Sequence, residues 1–205
     1  MMLKQKLSGI ALSLAILLGA SSPVFAAGAI NWGLSYQAGL GNPPSGAMTA
    51  EQLLQYGAYY MGDPSEKIIY LTFDCGYENG HTASILDTLK KHHVPAAFFV
   101  VGHYLDSAPA LVQRMAAEGH LVCNHTLNHP NLSKVSESRF SSELNDLSSK
   151  YWQLTGKEMA AFYRPPEGAF NGNNLLQGQS LGYHMTLWSV AYHDWDPKKQ
   201  PSHSS

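Results

Sequence analysis

Four short segments carry side chains whose types and spacing suit chemistry. In His125-Thr-Leu-Asn-His129 two imidazoles stand four residues apart. At that spacing a helical turn aims both the same way, and one metal ion can take both. Pro130 disfavours helical backbone at His129, so the turn should open there. Two ordinary surface histidines are the plain alternative. In Thr72-Phe-Asp-Cys-Gly-Tyr-Glu-Asn-Gly80, Asp74 precedes a glycine-rich turn. A carboxylate beside a metal site is a candidate general base, although an Asp there can also merely cap the turn. Tyr163-Arg-Pro-Pro-Glu-Gly168 sets two stiffening prolines after Arg164. A fixed guanidinium can orient a carboxylate and keep it ionised; the alternative is a surface Arg on a turn. The last segment is His193-Asp-Trp195. Its indole can wall a sugar or acyl pocket, or simply fill the core.

Each of these segments follows a stretch that reads as a strand. Lys67 to Phe73 is β-branched and aromatic, which predicts a buried strand ending at the Asp74 segment. Residues 96–101, 120–123, 161–163 and 184–190 read the same way. Between them, 82–92, 107–118, 136–154 and 174–181 show helical spacing of apolar residues. Strands alternating with helices imply a parallel sheet with crossovers. The pattern allows an open doubly wound sheet or a barrel cut short. In either, ligands gather at the C-terminal ends of the strands.

The N-terminal stretch has another character. Lys4 and Lys6 precede an apolar run from Leu7 to Leu18, and Val24-Phe25-Ala26 fits signal-peptidase cleavage after Ala26. The run is short of the roughly 20 residues a membrane span needs, although an uncleaved anchor is the alternative. Residues 1–26 are therefore expected to be a signal peptide, with export to the cell wall or beyond and no stable membrane span after cleavage. Their removal takes two lysines and no acids, so the formal charge of −2 becomes −4. That balance argues against a nucleic-acid partner, whose binders are usually strongly basic. Residues 27–65 read as an arm with one short helix, capped by Thr49 with Gln52 in capping-box position. Cys75 and Cys123 are too few for a disulfide scaffold, and their spacing leaves open whether they pair.

The order Thr-Phe-Asp-x-Gly, His-Thr-x-x-His, Arg-Pro-Pro-x-Gly and Asp-Trp, spanning roughly Glu66 to Asp196, resembles the polysaccharide deacetylase (carbohydrate esterase) family. Asp-Cys-Gly-Tyr-Glu-Asn-Gly, with Trp-Ser-Val-Ala-Tyr-x-Asp-Trp, looks closest to its muramic-acid δ-lactam branch, which acts on peptidoglycan and notably spore cortex. The resemblance implies an α/β fold, a distorted (β/α) barrel over residues 66–205. It implies a divalent metal, often zinc, held by His125 and His129. Asp74 would be the catalytic base and Arg164 would hold it. Trp195 would line the acetyl pocket with Asp194 beside it, and a backbone N–H near Glu167 would stabilise the oxyanion. Two departures stand out. Many members carry a second Asp where this chain has Cys75, whose thiolate could substitute as a zinc ligand or point away. The family's closing Leu-x-His motif, which supplies a general acid, does not follow Trp195. The expectation is a barrel incomplete at its C-terminus, with weak turnover. Peptidoglycan glycan strands are the expected partner. A non-catalytic glycan-binding remnant, or a deacetylase of another polysaccharide such as chitin oligomers, are the alternatives.

Overall fold

A computed structural model describes residues 28–36, 42–192, 196, 198–200 and 202. The signal-peptide reading of residues 1–26 lies outside them. Among the described residues no helix is long and apolar enough to cross a membrane.

A parallel sheet of five strands forms the frame. In sheet order they are β2 (Thr72–Cys75), β3 (Ala97–Val100), β4 (Leu121–Asn124), β5 (Phe162–Tyr163) and β7 (His184–Met185). Spatial order follows chain order without reversal. That excludes the doubly wound alternative, whose strand order turns back on itself, and leaves the winding of a barrel. Among the described residues the sheet does not close. The crossovers carry α2 (Thr82–His92), α3 (Gly102–Ser107), α4 (Pro109–Ala117), α5 (Glu137–Thr155) and α6 (Gly172–Ser180).

The caps are legible in the residues. Ser136 opens α5 by accepting from the Arg139 N–H, and Gly156 ends it in the left-handed conformation. Asn171 and Asn174 form a reciprocal box at the start of α6. The expected box of Thr49 and Gln52 is present at α1 (Ala50–Leu54).

Strand alternation sorts the side chains. Phe73, Cys75, Phe98, Val100 and Val122 face the helices and pack with Leu86, Leu89, Tyr104, Met115 and Leu147. A second core joins Leu144, Phe140, Tyr163, Leu175 and Met185 to the N-terminal segment through Trp32, Met48 and Leu53. The segment expected to be an arm is thus built into the fold. Its strand β1 (Ile30–Asn31) pairs antiparallel with β6 (Ala169–Phe170), a pair too short to be read from sequence.

Three elements differ from expectation. Residues 67–71 are not strand: Ile69 and Tyr70 are 85% and 67% exposed. Among the described residues no strand lies beside them on the outer side of β2. The helix expected over 107–118 is α4 (Pro109–Ala117), and a helix that was not expected, α3, precedes it and ends where Ala108 leaves helical backbone (φ −133°, ψ 46°) before Pro109. The strand expected over 184–190 ends at Met185.

Candidate active site

Asp74 and Arg164 meet on the sheet face opposite the helices. Asp74 stands one residue before the end of β2, and Arg164 directly follows β5. Arg164 is 3% exposed and its guanidinium is fully engaged. Nη1 donates to Asp74 Oδ1 at 2.5 Å, and Nη2 to Thr72 Oγ1 at 2.9 Å. Nε reaches the Thr186 carbonyl at 3.1 Å, and the plane lies 4.1 Å over the Phe99 ring. A buried cation with such partners is held in one geometry. The Asp74 carboxylate is partly open to solvent, at 39% of its side chain.

The other end of Arg164 fixes His125. The Arg164 N–H donates to the Asn124 carbonyl, which ties β5 to the end of β4. The Arg164 carbonyl lies 2.9 Å from His125 Nδ1. A carbonyl only accepts, so Nδ1 carries the proton and Nε2 keeps its lone pair. Nε2 stands 3.8 Å from Asp74 Oδ2. Burial holds the His125 pKa below its ordinary 6.5, against the opposing pull of the Asp74 charge. A neutral imidazole with a carbonyl-bound Nδ1 is the form a metal ion requires.

His129 completes the pair, its ring centroid 4.9 Å from that of His125. The route differs from the expected helical turn. Thr126 and His129 both take left-handed backbone, at φ 69° and 54°. The loop holds this costly shape through side chains. Asn124 Oδ1 accepts from the Thr126 N–H, and Thr126 Oγ1 from the His129 N–H. Most of the remaining support is Glu143 of α5, which is 1% exposed. Its carboxylate takes the Asn128 N–H at 2.7 Å and Asn128 Nδ2 at 3.0 Å, and its carbonyl takes the Leu127 N–H. Arg139 Nη2 balances its charge at 2.5 Å. Sequence reasoning missed Glu143. The signal was there: it sits one position before Leu144 and three after Phe140, on the helix's apolar face.

The remaining candidates divide. Glu167 and Gly168 follow each other in left-handed backbone, and Glu167 Oε2 accepts from Asn131 Nδ2 at 3.2 Å. This couples the loop after β5 to the loop that carries His129. Cys75 does not join the site. Neighbours in a strand point to opposite faces, and Cys75 is buried in the helix-side core with Leu86 and Tyr104. Nor do Cys75 and Cys123 bridge. Strand β3 lies between theirs, putting their backbones about 10 Å apart, beyond disulfide reach. Asp194 and Trp195 lie outside the described residues. Among those residues no group of three or more His, Cys, Asp or Glu is placed to hold a metal. The donors there that fit an ion are the His125 and His129 imidazoles, with Asp74 alongside.

The Bacillus subtilis protein named peptidoglycan-N-acetylmuramic acid deacetylase PdaA is 40% identical over 171 residues, covering 83% of this chain and 65% of that one. Its solved structure, titled a family 4 carbohydrate esterase, superposes with a TM-score of 0.79 over 84% of this chain and 74% of that chain. A Bacillus cereus protein named peptidoglycan-N-acetylglucosamine deacetylase is 36% identical, over 73% of this chain and 54% of its own. The chain thus spans between half and two thirds of the length of these curated relatives. A sequence profile described as polysaccharide deacetylase matches residues 61–186, which hold Asp74, His125, His129 and Arg164, and the chain belongs to that family.

Proposed function

We propose that the chain is a metal-dependent hydrolase that removes N-acetyl groups from peptidoglycan amino sugars. The substrate is N-acetylmuramic acid of spore cortex, the metal is zinc, and the site of action is the cell wall outside the cytoplasmic membrane. The observation that carries the reading is Arg164, which grips Asp74 with its side chain and His125 with its carbonyl. Base and metal ligand are thereby set side by side. The substrate assignment is supported by the names of the relatives and by the Asp-Cys-Gly-Tyr-Glu-Asn-Gly segment.

A divalent ion held by His125 and His129 would supply a water activated near neutral pH and polarise the acetamide oxygen. Asp74 takes the proton of the attacking water. Arg164 occupies Oδ1 and leaves Oδ2 on the His125 side for that transfer. The Glu167 backbone N–H stabilises the oxyanion. The amide C–N bond then breaks, and the proton on Asp74 passes to the departing amine, giving acetate and a free amino sugar.

Acetate release from de-peptidylated peptidoglycan, compared with chitin oligomers, tests the reaction and its substrate. Asp74→Asn should lower release by about 10²–10⁴-fold. Metal analysis should find one equivalent in wild type and a loss in His125→Ala. Unchanged release in Asp74→Asn, or no metal in either protein, overturns the reading. Glycan binding without any release would point to a binding module instead.

A further inference from the structure

Glu78 stands four residues after Asp74, in the turn that leads from β2 into α2. Both oxygens of its carboxylate are engaged. Oε1 accepts from the Gly80 N–H at 2.6 Å and from the Thr82 N–H at 3.4 Å, so the start of α2 is capped by Glu78 in place of its N-cap residue, His81. Oε2 accepts from the Tyr104 hydroxyl at 2.9 Å, and Tyr104 Oη lies 3.0 Å from Thr82 Oγ1. Burial opposes the charge on Glu78, but the hydrogen bonds of Thr82, Tyr104 and Gly80 outweigh it and hold the pKa below the ordinary 4.5. Tyr104 is 1% exposed, and burial raises its pKa, so its hydroxyl stays a donor. We propose that Glu78 is a positioning residue: through Tyr104 it locks the turn after Asp74 onto α3, the helix that also holds the loop between the two histidines. The proposal rests on the deacetylase reading for what is positioned.

Both halves of the site are tied to α3. At its start two successive amides reach them. The Val101 N–H donates at 3.3 Å to the carbonyl of Cys75, the residue after Asp74. The Gly102 N–H donates at 3.0 Å to the carbonyl of Leu127, which lies between His125 and His129. The backbones approach so closely here that a Cβ on Gly102 would come within 2.6 Å of the Leu127 oxygen. Two residues further on, Tyr104 makes the third tie, to Glu78. A bond to a charged acceptor is shorter and stronger than a neutral one, which suits a contact that must hold a turn in place. The position of β2 makes this tie matter. Among the described residues β2 has a strand on one side only, so the sheet gives Asp74 no support from the other. The side-chain bond to Arg164 fixes the carboxylate laterally, and the Glu78 turn fixes the chain that leaves it. A reacting group displaced by about 1 Å can cost about 10²-fold in rate.

Two readouts on the full chain test the role: acetate release from de-peptidylated peptidoglycan with zinc, and amide hydrogen exchange without metal. Tyr104→Phe removes one hydroxyl and keeps the buried ring. It should lower kcat by about 10²-fold with KM unchanged, and speed exchange at Gly80, Thr82 and Val101. Glu78→Gln can keep each contact, with Tyr104 Oη accepting from the amide. It should retain most of the turnover that Glu78→Ala loses. Arg114→Ala is the control for stability alone, because it cuts the ties of α4 to Asp87 and Ala83 of α2. It should lower the thermal midpoint and leave kcat and the three amides as in wild type. Unchanged kcat in Tyr104→Phe and Glu78→Ala overturns the positioning role. So does a kcat loss in Arg114→Ala as large as theirs, or a Glu78→Gln variant as slow as Glu78→Ala. No acetate release from wild type sinks the deacetylase reading instead. The exchange data then decide on the lock alone: faster exchange in Tyr104→Phe but not in Arg114→Ala upholds it, and unchanged exchange overturns it.

Discussion

Arg164 satisfies two demands through two different groups, a guanidinium for Asp74 and a carbonyl for His125. Glu143 serves the second histidine in the same indirect way, by holding Asn128 and Leu127 in a loop with two left-handed residues. Glu143→Ala removes a buried charged acceptor and frees that loop. We expect a stability loss of about 2 kcal/mol and, if the proposed divalent ion binds, affinity for it weaker by about 10–100-fold. Thermal unfolding without metal and a competition titration with a chelating dye measure the two separately. Unchanged affinity would show that the loop holds itself. At this scale the grouping was legible where residue type and order carry it: Asp74, Arg164, His125 and His129 stand together as their motifs suggested. The supports were not, because Thr72 and Glu143 are defined by contacts across 92 and 15 residues of chain. The ambiguity at Cys75 was settled by where β2 ends. The strand runs through Cys75, so alternation turns its thiol away from Asp74.

Elements were legible by period and less so by boundary. The helices at 82–92 and 137–155 appear where their apolar spacing placed them. The helix at 109–117 does too, with α3 an unread addition before it, while residues 67–71 failed as strand, since a periodic pattern does not report what lies beside it. One junction has a pH consequence. His120 opens the turn into β4 and is 8% exposed. Its Nδ1 accepts the Ala96 N–H at 3.2 Å, and its ring packs edge-on to Phe98. Burial lowers its pKa below 6.5, against Glu118 at the C-terminal end of α4 and with Arg114 inside that helix. The unfolded chain therefore takes up the proton first as pH falls. The contribution of His120 is present above about pH 6.5 and is lost as pH falls through the folded-state value. The urea midpoint of the metal-free protein should drop between pH 7.5 and pH 5. His120→Phe cannot titrate and should show a flatter profile; an identical profile would place the titration elsewhere.

On the scale of the whole molecule, the alternation of strands and helices announced the parallel α/β frame, and motif order announced the family. The role of the N-terminal segment was hidden. Trp32 is 5% exposed, donates its indole N–H to the Trp188 carbonyl, and packs against Tyr60 with ring centroids 5.0 Å apart and planes tilted by 59°. Gly46 and Gly168 leave the room it occupies: a Cβ on either would come within 3.0 Å of its atoms. The arm thus braces the turn at Glu167 from behind. Trp32→Ala should cost about 3–5 kcal/mol, read as a lowered denaturation midpoint. A loss below about 1 kcal/mol, the ordinary range for surface positions, would mean that the arm is a passive wrapping.

The outer side of β2 bears on how Asp74 is held in time. The Leu71 and Cys75 carbonyls accept from Ala97 and Val101, so in this parallel pair residues 71, 73 and 75 turn their peptide groups toward β3. Thr72 and Asp74 turn theirs the other way, where no strand lies among the described residues. The backbone of Asp74 is consequently stitched on one side only, and its carboxylate tether to Arg164 crosses 90 residues of chain. Amide hydrogens should report this as a sawtooth. Phe73 and Cys75 should exchange with deuterium slowly, at the rate of the sheet, while Thr72 and Asp74 exchange quickly. Cutting the tether with Arg164→Met should speed Phe73 and Cys75 toward their neighbours, turning a strand rigid by side-chain contact into one that frays.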